Sequence, residues 1–181
     1  MTTSTWSLDA TSGKLLVRTG VAGRAARMGH RLTIAMQSWR ATVRWVADEP
    51  ASAELTVPVD SLVVIRGDGG ATPLTGSAKS MVRSQALKSL EEGKYPQIRF
   101  VTEDIAKTAG GYRLGGTLEI HGVSRPQLVD LAAEERDDGW ALSAELPVTQ
   151  TDFGVKPYSL FMGSLKVADT VTVAFSATHP K

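Results

Sequence analysis

Alternation of apolar and polar residues runs through most of this chain and narrows its fold more than any other feature. Between Trp39 and Ala47, the residues Trp39, Ala41, Val43, Trp45 and Ala47 share one face, and Arg40, Thr42 and Arg44 share the other. Side chains of an extended strand point alternately to its two sides, so the pattern reads as a half-buried β-strand. Ala53, Leu55, Val57 and Val59 repeat it opposite Glu54 and Thr56. Pro58 lies within that stretch and requires an edge, a bulge or a strand end there.

The second half continues in the same way. Ile98, Phe100 and Thr102 alternate with Arg99, Val101 and Glu103. A turn at Ala109-Gly110-Gly111 leads into a strand from Tyr112 to His121, with Leu114, Leu118 and Ile120 facing inward. Gly115 and Gly116 inside it predict a bulge or sharp curvature. Val129, Leu131 and Ala133 pair with Trp140, Leu142, Ala144, Leu146 and Val148 across an acidic turn over Glu134–Gly139. Phe161–Val167 reads as a further strand, followed after Ala168-Asp169 by Val171, Val173, Phe175 and Ala177. Lys14–Thr19 and Arg31–Met36 are shorter strands.

One stretch has helical spacing. Ser77–Glu92 contains no Gly or Pro, and Ala78, Met81, Val82, Ala86 and Leu90 recur three and four residues apart. Gly93 is its expected stop. About ten strands joined largely by hairpins, with one helix, make an all-β antiparallel barrel or sandwich. The glycines within strands favour the barrel. A length of 181 residues, 42% of them hydrophobic, suits one domain spanning 1–181.

Composition removes several functions. With no cysteine there is no disulfide, thiolate metal site or cysteine nucleophile. His30, His121 and His179 lack the spacing of metal ligands, so no metal is expected. Asp60-Ser61 has no nucleophile elbow around it, and Gly67-Asp-Gly-Gly70 lacks a lysine–serine ending, so no catalytic residue is assigned. The net charge is only +1. Arginines do gather at positions 24, 27, 31, 40 and 44, but alternation puts Trp39 and Trp45 opposite Arg40 and Arg44. A nucleic-acid surface needs both on one side, so no nucleic acid is expected. The same basic edge suits transient contact with anionic lipid headgroups at a membrane surface. The opening residues form neither a basic nor an apolar leader, and the expected location is cytoplasmic.

Ordered motifs connect the chain with a family. Trp6-Ser-Leu-Asp9 with Ser12-Gly-Lys-Leu15, Val59-Asp-Ser-Leu62 and Lys94-Tyr-Pro-Gln-Ile-Arg-Phe100 come first. Gly116-Thr-Leu-Glu-Ile-His-Gly-Val-Ser-Arg-Pro126, Thr151-Asp-Phe-Gly154 and Val167-Ala-Asp-Thr-Val171 follow. In this order the chain resembles the YceI-like, polyisoprenoid-binding family of lipocalin-like proteins. The resemblance implies an eight-stranded antiparallel extended lipocalin-like β-barrel with one main α-helix at one end. It also implies a deep apolar tunnel for a polyisoprenoid or fatty-acid-like lipid, no cofactor, and a homodimer.

On this reading the tunnel wall is Trp45, Leu55, Val57, Phe100, Leu118, Trp140, Leu142, Phe153 and Phe175. These residues would make a solid core equally well, because periodicity does not separate a filled barrel from a hollow one. A polar head group would sit at the mouth beside His30 or Tyr158, with His121 as a further candidate contact. The ordinary role of His121 is to hold the Ile120–Ser124 corner by hydrogen bonding. The expected function is non-catalytic binding, transport or storage of a long apolar lipid. The alternatives are a barrel for a non-lipid small molecule, linked to stress, and a protein-interaction barrel with a plugged interior.

Overall fold

The alternating segments pair antiparallel with their neighbours, as short connections between strands require. A computed structural model describes residues 1–181. Its strands are β1 (Thr3–Asp9), β2 (Gly13–Arg18), β3 (Val21–Ala22), β4 (His30–Met36), β5 (Arg40–Val46), β6 (Glu49–Pro58) and β7 (Leu62–Gly69). After the helix α1 (Gly76–Ser89) come β8 (Gln97–Thr108), β9 (Gly111–Ile120), β10 (Val123–Arg136), β11 (Gly139–Thr149), β12 (Ser159–Leu160), β13 (Leu165–Val167) and β14 (Thr170–Pro180).

Eleven of these segments form one sheet in the order β1-β5-β6-β8-β9-β10-β11-β14-β2-β4-β7. Three pairs of segments are single strands broken by a short interruption: β1 with β2, β4 with β5, and β6 with β7. Both halves of the first strand lie antiparallel to the second, and both halves of the second to the third. Eleven segments are therefore eight strands. Because β2 also pairs with β14, the sheet returns to its first strand and curls into a barrel. Pro58 closes β6 at one of the breaks, where a missing N–H costs no ladder bond.

Two places depart from full pairing. β10 and β11 pair only over Ala132–Arg136 and Gly139–Ser143, and Pro126 and Pro147 both lie in the stretch where they separate. At the other end β1 leaves β14, and Trp6 fills the seam by stacking on His179 at 4.1 Å between ring centroids. The barrel thus has a turn end, with the β5–β6, β8–β9 and β10–β11 turns, and a helix end, where α1 and the long 150–169 connection lie.

Several expectations shift. Phe161–Val167 is not one strand: φ is positive at Phe161, Met162 and Gly163, which turns the chain and leaves only Leu165–Val167 extended. β13 instead joins a small second sheet with β12 and β3. The helix ends before Gly93, because the left-handed residue is Glu91, at φ 47°. The acidic turn tightens to Asp137-Asp138, with pairing continuing to Arg136. The bulge predicted at Gly115-Gly116 lies opposite them, in β8, where the register shifts between Thr102 and Asp104. It resets the phase, so that Phe100 before it and Ile105 after it both face inward. No helix is long and apolar enough to cross a membrane.

Candidate functional site

The inward faces of the strands enclose a cavity of about 530 Å³, within the range of roughly 300–1,000 Å³ usual for small-molecule sites. Of its 49 lining residues, 41 are hydrophobic. All nine residues expected in the wall are there: Trp45, Leu55, Val57, Phe100, Leu118, Trp140, Leu142, Phe153 and Phe175. Many inward side chains, Phe100, Leu131 and Phe175 among them, are only half-buried, because they face this space rather than one another. The barrel is hollow.

Curvature makes room for the wall. A Cβ at Gly116 would collide with the Phe100 ring and with the backbone of Val101, so glycine lets that ring lie across β9. Thr102 is buried at the adjacent bulge, its hydroxyl donating to Gly115 O at 2.9 Å and leaving no orphaned polar atom. On the outer face Glu54 takes Arg99 Nε at 2.9 Å. That hydrogen bond holds the Glu54 carboxyl below the usual glutamate range. Arg40 and Arg44 are exposed on the outside while Trp39 is buried, as alternation requires.

The turn end is closed by aromatic rings. Trp6 and Trp45 lie 4.6 Å apart and Trp6 and Trp140 6.2 Å apart, all three lining the cavity. Tyr112 lines it nearby, and burial, reinforced by Glu49, raises its phenol above the usual tyrosine range. Trp45 Nε1 is a buried donor with no partner in the protein.

The helix end is open. Met81, Tyr158 and Leu160 are the lining residues with the greatest exposure, and they stand on α1 and in the 155–160 segment. We place the mouth between these elements, where the lining side chains are most exposed. Beside it His121 fastens three parts of the chain: Nε2 bonds the Glu91 carboxylate, Nδ1 lies 3.2 Å from Phe153 O, and the ring packs on Tyr95. His121 and Gly122 both have positive φ, as a two-residue type I′ hairpin turn needs.

Of the three candidate head-group contacts, Tyr158 is in the wall. His30 and His121 lie outside it, the first with Nε2 2.6 Å from Thr72 O. Ser61 Oγ donates to Pro58 O at 2.7 Å, which occupies its proton on the backbone. Sequence reasoning missed the part of the wall supplied by α1, where Met81, Val82, Gln85 and Ala86 face the cavity. The stripe of Met81, Val82, Ala86 and Leu90 was the available signal. Helical spacing alone does not say what such a stripe packs against.

The fold has clear relatives. A crystal structure of BcnA from Burkholderia cenocepacia superposes with a TM-score of 0.70 at 21% identity, over 95% of this chain and 99% of that one. The YCEI protein of Campylobacter jejuni superposes with a TM-score of 0.62 at 14% identity, over 82% and 84%. At these identities the likeness is one of fold. Among curated proteins, none matches the sequence significantly. The YceI-like domain matches residues 6–179, nearly the whole barrel from Trp6 to His179, and the chain belongs to the YceI-like family.

Proposed function

We propose that this protein binds and carries, or stores, a long apolar lipid such as a polyisoprenoid inside its barrel, without catalysing a reaction on it. The observation behind this reading is the cavity itself: about 530 Å³ with 41 of 49 lining residues hydrophobic. Such a wall offers a hydrocarbon roughly 0.8 kcal/mol per buried CH₂ and offers a charged solute nothing. The chain enters past Met81 and Leu160, and a polar head group stays at the mouth beside Tyr158. His30 and His121 keep that end in shape through Thr72, Glu91 and Phe153. A cytoplasmic location and a homodimer belong to the same proposal.

One feature favours a second ligand class. The unpartnered Trp45 Nε1 suits a smaller molecule with an acceptor oxygen that reaches the closed end. Solvent extraction of the purified protein followed by mass spectrometry separates the readings. The carrier reading expects an isoprenoid or alkyl lipid in near-stoichiometric amount. Recovery of a compact oxygenated molecule selects the second class, and recovery of nothing from protein purified without detergent counts against both.

A further inference from the structure

The connections at the barrel mouth carry exposed apolar side chains that no packing argument accounts for. Phe161 is 67% exposed and Met162 fully exposed, at the tip of the loop after β12. Both have positive φ, 52° and 55°, followed by Gly163 at 89°. Left-handed backbone is unfavourable for residues of this size, yet here it turns two large apolar groups toward solvent. Met28 is 56% exposed on the neighbouring segment, which is tied to the loop by Ala25 N donating to Ser164 O at 2.7 Å. The patch continues through Leu160, 41% exposed, into the cavity wall.

The charged side chains on the segments that carry this patch are cations. Arg24, Arg27, Lys156 and Lys166 are exposed, and none pairs with a carboxylate. The sequence holds no Asp or Glu between Ala10 and Ala47, nor between Phe153 and Ala168, the two regions that meet in the β3–β13–β12 sheet. Apolar tips set among unpaired cations match the interface of an anionic bilayer, where rings and thioethers enter the acyl boundary and cations meet phosphates.

We propose that the Leu160–Met162 loop, with Met28 and the flanking Arg24, Arg27, Lys156 and Lys166, docks the barrel mouth onto an anionic lipid bilayer. The inference rests on the carrier reading for its purpose, since docking there places the mouth against the phase that holds apolar lipids. Its structural basis is independent of what the cavity holds.

The test is sedimentation of the full chain with vesicles of phosphatidylcholine alone and of phosphatidylcholine mixed with phosphatidylglycerol. Binding is expected to the mixed vesicles and to be weak on the neutral ones. Arg24→Ala and Arg27→Ala each lower affinity roughly fivefold, and Phe161→Ser with Met162→Ser lowers it roughly tenfold or more. Because the chain lacks cysteine, a Met162→Cys protein takes a single NBD label, whose emission shifts blue on the mixed vesicles. A label at Asp138→Cys, on the turn end, does not shift. Unchanged binding by the Phe161/Met162 variant, with its thermal melt preserved, overturns the proposal. So does self-association through the same residues without vesicle binding, which would make a second copy the occupant. Lipid extracted from a protein that ignores vesicles overturns the docking and leaves the carrier reading standing. Vesicle binding by a protein that yields no lipid supports the docking and counts against the carrier.

Discussion

At Gly122 the backbone sits at φ +71°, and a Cβ there would come within 2.5 Å of the Tyr95 ring. That ring has little freedom to retreat, because its other neighbour is His121, at 4.7 Å between centroids. Gly122→Ala is therefore expected to lower unfolding free energy by about 1–3 kcal/mol, read from the urea midpoint; an unchanged midpoint would show that the corner relaxes. A second residue-scale case is Asp130, whose two oxygens accept Arg113 Nε and Nη2 at 2.7 and 3.2 Å across the β9–β10 ladder. The Arg113 hydrogen bonds hold the Asp130 carboxyl below the usual aspartate range. The folded state thus binds this proton less readily than the unfolded one. Any stability from the pair is present above the unfolded-state titration and is lost as pH falls through the folded one. Both groups are exposed, so that contribution is small. Carboxyl NMR reads the effect directly: Arg113→Ala should move the Asp130 midpoint upward. His121 shows how far sequence reaches at this scale. Its role in holding a corner was legible, but its partners were not, because Glu91 and Phe153 are distant in sequence.

Among the longer elements, α1 alone is held by no ladder of backbone hydrogen bonds to a neighbour. None of its residues is fully buried: Val82, Ala86 and Leu87, with Leu90 at the C-cap, pack on the core while remaining partly exposed, and one face of the helix lines the cavity. Its N-terminus is capped by Thr75, which accepts Ala78 N at 3.3 Å. Local opening of the helix should therefore cost less than opening the strands. Hydrogen exchange is expected to show weaker protection in α1 than in β9 and β10. Thr75→Ala should weaken the helix by about 0.5–2 kcal/mol, speeding exchange in α1 and leaving β9 unchanged; equal acceleration in both would mean that helix and barrel open together. The strands themselves were legible, since a period of two runs through the long ones and changes phase only at a bulge such as that in β8. The breaks that split three of them were less so, because each depends on how its neighbours break. The two-residue strands β3 and β12 are too short to carry a period at all.

For the whole molecule, the hollow interior makes stability and ligand binding one problem. A lipid that occupies only the folded barrel raises the melting temperature in step with its concentration. Lipid-loaded protein should therefore melt above delipidated protein. Leu118, nearly buried and part of the wall, is the place to test this. Leu118→Trp should reduce lipid uptake and shrink the loading shift while the circular dichroism spectrum stays that of a β-barrel; full uptake would show that the ligand bypasses this part of the wall. What the sequence determined by itself is which strand residues face inward before the β8 bulge, and that one helix is present. Side-chain alternation and helical spacing are local properties written into consecutive positions. Only the tertiary structure decided that eleven segments are eight strands, that the interior encloses a cavity, and that the mouth opens between α1 and β12. Those features depend on distances between residues far apart in the chain: whether β2 reaches β14, and how far the walls stand from one another. The same alternating pattern satisfies a full core and an open one, and closure at that radius selects the open one.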